Sequence, residues 1–508
     1  MKTIQTKNEY YTQCAAERDV TSDNFSKGQI RYKFSNSSMS RWNPFYSYLR
    51  MRITLTAAND VQLKLNDQIA PNMFMGDSFW LQQNIKCNGK TISAMDDYVP
   101  QCSSLKHRFN MSNSERNSLL SDNNFSKPYI YDRIREISSD GFDKSVQLHD
   151  FRTLVQNDGN SVIGTHTMTG TNLTLTLAGG GLPDLTQSQI VVGDFLILKQ
   201  TANHGFVSRI TAVTATTIVI SDSFPANFGV ETILVNKVFY AKHNPIKSRR
   251  LKTFDLIFKP SLGLFDINAW LPGSWMLELT PQTAGKFQKL AIESLVDKIV
   301  DTDFKLVVDN LDLFIYTGQC VSPHNGEEML YFDDIRCQSQ PLTGTTNNKT
   351  FTVHKKCHTF GLAFQKGNVQ DDSSFSATKF KCTDDDQLKL KVYQMRINNL
   401  TLPQTTPQIL KSSTTENELM QYFYENLKYN RSHSMKDYEK FTDWLERGPY
   451  YMLKLKNKIN EGSNRLALRL EFSSLNATDK PLILLFELIK KHITFEVENG
   501  LVKNVYVD

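Results

Sequence analysis

The stretch "TFDLIFKPSLGLFDINAWLPGSWMLELTP", residues 253–281, holds five aromatics, three prolines and two glycines, and almost no catalytic chemistry. It reads as two apolar strands separated by a proline and glycine corner, ending in a third alternating run. Phe and Trp bury roughly 150–250 Å² each, and proline is confined to strand edges and corners, so such a segment shapes a rigid β-sandwich.

At 508 residues the chain exceeds the size at which single cores stop growing, about 250–300 residues, so two or three domains are expected. A composition 40% hydrophobic and 22% charged is that of an ordinary globular protein and excludes a disordered or fibrous chain. A net charge of +5 is far from the concentrated basicity of a dedicated nucleic-acid binder, and bulk charge names no partner. The seven cysteines, at 14, 87, 102, 320, 337, 357 and 382, are odd in number and form no C-x-x-C pair. Neither a disulfide framework nor a zinc ribbon follows, and free thiols in a reducing compartment are expected. The N-terminal "MKTIQTKNEYYTQCAAERDV" lacks the apolar segment of a signal peptide, and the longest apolar run, 482–486, has strand length. Neither secretion by that route nor membrane insertion is expected. The sequons at Asn36 and Asn172 are read as chance matches in an Asn- and Ser-rich chain.

Outward from the central stretch, strand signals dominate. Residues 48–57 and 60–67 alternate, and 78–89 follows a Pro, Met and Gly loop, as in a meander or Greek key. Helical signals are few: a capping box at Ser112 and Glu115, a second at Thr415 and Glu418, and an apolar face of Tyr438, Phe441 and Trp444. From about Asn157 to Lys242 the chain loses charge and gains Thr, Gly and Val, with short strands at 173–177, 195–198, 207–213, 217–220 and 233–240. Turns fall at Gly193-Asp194 and His204-Gly205. Such closely spaced strands predict a small β-barrel inserted into a larger domain. Residues 304–318 read as a closing strand and 319–326 as a turn-rich linker, after which a second β series begins. The fold class is all-β: two tandem jelly-roll β-sandwiches, with a few loop helices and the small barrel inserted in the first. The expected boundaries are an N-terminal arm over 1–25, a first jelly roll over 26–318 interrupted by the insertion at 157–242, a linker over 319–325, and a second jelly roll over 326–508.

Candidate chemistry is sparse. His354, Cys357 and His358 could be imagined as metal ligands, but the segment reads as β, where the two histidines would stand ~13 Å apart at ~3.3 Å per residue. The acids Asp333-Asp334, Asp371-Asp372 and Asp384-Asp385-Asp386 sit in or beside expected turns and read as solvated loops, not as a hydrolytic pair. No nucleophile elbow, Walker loop or dinucleotide fingerprint occurs, and the Gly-rich 178–185 opens no helix. The basic run Lys242, His243, Lys247, Arg249, Arg250 and Lys252 has only Tyr240 for base stacking and reads as a solvated face or a subunit contact. No catalytic, cofactor-binding or metal residue is therefore expected, and no enzyme.

Phe254, Phe258, Pro260, Leu262-Gly263 and Phe265, the turn Leu271-Pro272-Gly273 and the strand Trp275-Met276-Leu277-Glu278-Leu279 up to Pro281 together resemble a segment of the double jelly-roll major capsid proteins of virophages and Polinton-like viruses, in the adenovirus-like lineage. "QMRINNLTLPQTTPQ" at 394–408 is similar to a segment leading out of a strand in that family's second jelly roll. The resemblance implies homotrimers forming pseudo-hexagonal tiles of an icosahedral shell around a DNA genome, with location in the virion and assembly in the host cytoplasm or nucleus. Implied partners are further copies of the chain, penton and minor capsid proteins, and a weak contact with packaged DNA. The insertion at 157–242 has no counterpart in the family core and would sit on an outward loop. The alternative is an all-β carbohydrate-binding or adhesion protein; a glycoside hydrolase rests only on the acidic clusters.

Overall fold

Alternation builds the first sheet. Along the strand Ser40–Ala57, Leu49, Met51, Ile53 and Leu55 are buried, while Tyr48, Arg50, Arg52 and Thr54 point the other way. This strand pairs antiparallel with Phe304–Cys320 and with Thr253–Phe258, and Thr6–Cys14 adds to the far edge of Phe304–Cys320. A second four-stranded sheet, in the order Ile30–Ser35, Ser274–Pro281, Trp80–Cys87 and Lys90–Met95, turns Tyr32, Leu277 and Ile85 into the same interior. The two sheets form the first sandwich. Phe258, Phe265 and Trp275 of the central stretch are buried in it, as its aromatic content predicts.

The computed structural model describes residues 6–57, 69–71, 75–110, 133–137, 143–147, 166–171, 174–177, 192, 195–198, 207–220, 230–236, 239–241, 253–283, 292–294, 304–367, 380, 390–397, 400–402, 408–409, 441, 444, 448–455, 465–472, 475 and 480–507. The second sandwich again has two sheets. One orders Gly326–Pro341, Pro481–Glu498, Cys357–Lys366 and Tyr450–Lys454, with Leu501–Val507 paired to Pro481–Glu498. The other orders Thr346–Thr352, Arg465–Phe472, Leu390–Ile397 and Leu400–Leu402, with Gln408–Ile409 on Leu390–Ile397. In Arg465–Phe472 every second residue, from Leu466 to Phe472, is buried, the period-2 pattern of a strand with one face on a core. Buried residues of both sandwiches belong to one continuous apolar core.

Six strands between residues 166 and 236 close into a barrel, in the order Thr174–Leu177, Thr217–Ile220, Val207–Val213, Phe195–Leu198, Val230–Asn236 and His166–Thr171. Three of them have the bounds expected from the sequence. The expected strand at 233–240 is instead two: Val230–Asn236 stays in the barrel, whereas Phe239–Ala241 pairs with Arg133–Ile137, itself paired to Asp143–Gln147. The strand His166–Thr171 had no reading in advance. Its run HTMTGT carries one large apolar residue, too little to register as alternation.

Other expectations are corrected at their edges. The stretch expected as an arm contributes the edge strand Thr6–Cys14 to the first sheet. The closing strand runs on to Cys320, so the connection to Gly326 is shorter than the expected linker. The helix Val99–Asn110 was not anticipated. The strand at 60–67, the capping boxes at Ser112 and Thr415, and the turns at Gly193 and His204 lie outside the described residues; Phe441 and Trp444 are helical.

Candidate contact faces and the seam between the halves

The outward face of the first sheet is aromatic at one end and ionic at the other. Directly opposed strand positions put Tyr48 beside Phe314 and Tyr11 beside Tyr316. Their rings stack or meet edge-on at 4.8–5.6 Å: Tyr48 with Phe314, Tyr11 with Tyr48 and Tyr316, Tyr46 with Tyr316, and Trp270 with Tyr316. Such pairs add stabilisation beyond area burial, yet Tyr10, Tyr11 and Tyr46 remain over 40% exposed. Two strand positions further along, Arg50 bridges to Asp312 at 2.9 Å and Arg52 to Asp255 at 3.0 Å. The Glu9 carboxylate accepts the Tyr316 hydroxyl at 2.5 Å, which holds Glu9 below the usual carboxylate range and pushes the tyrosine up to about 12.

The corresponding face of the second half is mixed. Tyr331 stacks on His492 with centroids 4.5 Å apart, Lys490 lies over the tyrosine ring, and Met329, Tyr331 and Tyr506 are exposed. Glu496 accepts from Asn504 and Tyr506, and these hydrogen bonds lower its pKa.

The helix Val99–Asn110 is the bolt of the seam between the halves. Its sequence VPQCSSLKHRFN carries only a narrow apolar stripe, Val99, Cys102, Leu105 and Phe109, yet nearly every side chain is buried, polar ones included. Toward the second half, Tyr98 shares a hydrogen bond with Ser339 at 2.5 Å, Gln101 donates to Gln365 at 3.1 Å, and Arg108 donates to the carbonyls of Trp444 and Gly448 while lying over Phe380 and Tyr450. Leu105 approaches Gly361 so closely that a Cβ there would meet its Cδ2 at 3.0 Å. Toward its own half, Lys106 donates to the Ser261 carbonyl at 2.7 Å and bridges to Asp266 at 2.9 Å.

Beneath the helix lies a buried polar cluster. Asp77 accepts from Gln83 at 3.0 Å, Ser103 at 2.6 Å and Ser261 at 2.8 Å. His107 Nε2 stands 3.2 Å from Ser261 Oγ and 3.8 Å from Asp77, and burial lowers the histidine pKa, favouring the neutral ring. Ser, His and Asp together suggest a nucleophilic triad, but a triad needs the carboxylate on the ring nitrogen opposite the one facing the serine. Here one nitrogen faces both, and Asp77 holds the serine directly. All three side chains are buried, so the cluster fastens the helix to the turn after Phe258.

That turn, Gly263–Asp266, meets the second half. Asp334 accepts from Ser93 at 2.5 Å and from the Gly263 amide at 3.1 Å, while its other oxygen has no partner among the described residues. Burial, only partly offset by these bonds, raises Asp334 to about 6. A cavity of about 20 Å³, lined among others by Lys106, Phe109 and Asp334, lies alongside. Toward the start of the same strand, Arg41 of the first half pairs with Glu328 of the second at 3.0 Å, both side chains being at most 9% exposed.

Several residues singled out for chemistry sit elsewhere than expected. Asp333 and Asp334 are inside the strand Gly326–Pro341, and Asp334 is fully enclosed at the seam; adjacent acids read as a turn, but the pairing of this strand on Pro481–Glu498 overrides that signal. His354 and His358 are not on one strand: Thr346–Thr352 ends before them, and a tight turn joins His354 to Cys357, whose amide donates to the His354 carbonyl at 3.0 Å. His354 Nδ1 accepts from the Lys356 amide, the Cys357 thiol donates to the Thr359 carbonyl, and His358 lies 3.4 Å from Asp333. Among the described residues, no three His, Cys, Asp or Glu side chains converge on one point. Asp371, Asp372, Asp384, Asp385, Asp386, the Gly-rich 178–185 and the basic run 242–252 lie outside the described residues.

No protein-family model and no curated protein matches the chain. Among solved structures, it is similar to a chain of the Sputnik virophage structure, with a TM-score of 0.50 at 10% identity over 100% of this chain and 89% of that one. It is also similar to the mavirus major capsid protein (TM-score 0.45, 12% identity, 98% of this chain and 90% of that one) and to the Faustovirus major capsid protein (0.42, 8%, 98% and 92%). The shared fold with the Sputnik chain extends over both sandwiches, and the all-β, double jelly-roll architecture is thereby shown.

Proposed function

We propose that this double jelly-roll chain is a major capsid protein, a building block of a virion shell that works by associating with copies of itself. The observation that carries the reading is the likeness of fold to the virophage chain along the whole length, with both sandwiches in place. We extend it to a homotrimer in which six jelly rolls make a pseudo-hexagonal tile of an icosahedral shell around DNA. The jelly rolls would occupy 26–318 and 326–508, with the segment 157–242 as a module on an outward loop. Penton and minor capsid proteins and a weak contact with packaged DNA would complete the partners, with assembly in the host cytoplasm or nucleus. No catalytic, cofactor or metal role is assigned.

A closed three-fold ring is built from heterologous contacts, in which one surface of each chain meets a different surface of the next. The aromatic and ionic face of the first half and the Tyr331–His492 face of the second are two such surfaces, unlike in composition and both exposed. The carbohydrate-binding or adhesion alternative is not favoured, since the structural neighbours are viral capsid proteins.

Light scattering coupled to size exclusion tests the reading. A particle of three times the chain mass of 58.2 kDa, which electron microscopy resolves as a six-lobed tile, is the expected result. A stable monomer that forms no shells at high concentration would refute it.

A further inference from the structure

Two thiols meet across the seam. The helix Val99–Asn110 of the first half runs along the strand Gly326–Pro341 of the second: Tyr98 bonds to Ser339 at one end, while Leu105 and Phe109 line a cavity with Asp333, Asp334 and Ile335 at the other. Residues 102, 105 and 109 share one helix face, Tyr98 stands just before the first turn with its carbonyl accepting from the Cys102 amide, and 339, 337, 335 and 333 succeed one another at a strand's period of two. Cys102 and Cys337 are therefore opposite each other, between the two anchored ends. Both are buried and free, and the Cys102 side chain is a direct neighbour of the Cys337 thiol.

We infer that Cys102 and Cys337 form a redox-switched disulfide that bolts the two jelly rolls together, made by exchange with a small disulfide such as oxidised glutathione. One cysteine thiolate attacks a glutathione sulfur and releases one glutathione thiolate; the second cysteine attacks the resulting mixed disulfide and releases the other. Two protein thiols lose two electrons and two protons, and one glutathione disulfide becomes two glutathione thiols. The free-thiol state fits a chain folding in a reducing compartment, and the bonded state fits the same chain once outside it.

Burial holds the Cys337 thiol well above its ordinary pKa, with the Cys102 thiol beside it adding to the effect, so thiolate is scarce in the closed seam. Exchange is accordingly slow at neutral pH, accelerates as pH rises, and proceeds through local opening of the helix from the strand. The bond would close a loop of about 235 residues, the kind of long cross-link that most restricts the unfolded chain.

This inference is independent of the capsid reading, because the purified chain alone tests it. The full chain is incubated at pH 8.5 with oxidised glutathione, remaining thiols are blocked with N-ethylmaleimide, and peptides are mapped by mass spectrometry without reduction. The expected result is a linked peptide pair joining Cys102 to Cys337 in most molecules and a melting temperature several degrees higher, reversed by dithiothreitol. Cys102→Ala and Cys337→Ala should each remove both effects, the melting temperature of either variant being the same with and without dithiothreitol and below that of the reduced parent by the small cost of the lost thiol. Recovery of both cysteines as maleimide adducts, as separate glutathione adducts, or linked to other cysteines would overturn the inference, as would a linked pair that lowers the melting temperature.

Discussion

Replacing Asp334 by Asn isolates the electrostatic cost of the seam. An acid whose folded pKa is raised binds more protons when folded than when unfolded, so its contribution to stability falls as pH rises through the gap between the two values. For Asp334 that gap runs from 3.8 to about 6. At ~1.36 kcal/mol per pH unit, the ionised carboxylate costs about 3 kcal/mol above pH 7 that is absent below pH 4. The Asn variant keeps an oxygen for the Ser93 hydroxyl and the Gly263 amide and places an amide nitrogen where the unpartnered carboxylate oxygen stood, beside the cavity. That nitrogen carries its own hydrogen-bonding cost, so the informative quantity is the pH dependence of the difference, not its absolute value. Urea unfolding followed by fluorescence of the buried tryptophans, measured from pH 4 to pH 8 on both proteins, should show the variant gaining about 2–3 kcal/mol relative to the parent across that range. A difference that is flat with pH, or that moves against the variant as pH rises, would show that Asp334 titrates normally and that the reasoning from burial is wrong.

Gly263→Ala should lower the melting temperature by several degrees in thermal unfolding, since the new Cβ would lie 2.1 Å from the Asp333 carbonyl oxygen and force the turn off the strand. Arg41→Met leaves the Glu328 carboxylate with only His324 beside it, at 3.6 Å, and should cost about 2–3 kcal/mol in urea unfolding; adding Glu328→Leu should recover most of it. Phe258→Asp puts an unpaired charge in the sandwich core and should leave no soluble folded protein on size exclusion. Excision of residues 166–236 behind a short Gly/Ser linker removes a barrel closed on itself, so light scattering should give the same oligomer as the intact chain; loop-length changes cost only ~0.6 kcal/mol per doubling.

What could be read from residue order followed how each element is buried. Short strands rich in Val, Ile, Leu and Thr and set between turn residues stand out, and 195–198, 207–213 and 217–220 were legible to the residue. The aromatic corner at 253–281 likewise foretold the sandwich it fills. The helix Val99–Asn110 was illegible for the opposite reason: closed in by both halves, it buries Gln101, Ser103, Ser104 and Arg108 as well, so its thin stripe of Val99, Cys102, Leu105 and Phe109 does not stand out against a polar face. The seam was illegible with it, because Asp77, Ser93, Ser261 and Asp334 are distant in sequence and meet only once both sandwiches exist. Asp334 in particular looks like half of a turn until the partner strand is known.

The threading of the first sheet also sets a schedule for synthesis on the ribosome. Ser40–Ala57 finds its two neighbours only when Thr253–Phe258 and Phe304–Cys320 have been made, and Thr6–Cys14 waits for the latter as well. At ~5–20 residues per second, the long early strand stands with open edges for roughly 15–50 s. The barrel strands pair only among themselves and emerge during that interval, so they can close without waiting for the sheet that flanks them. An unpaired edge of this length invites pairing with another nascent chain. A chain threaded this way gains from synthesis on well-spaced ribosomes or from a chaperone that covers the early strand until residue 320 arrives.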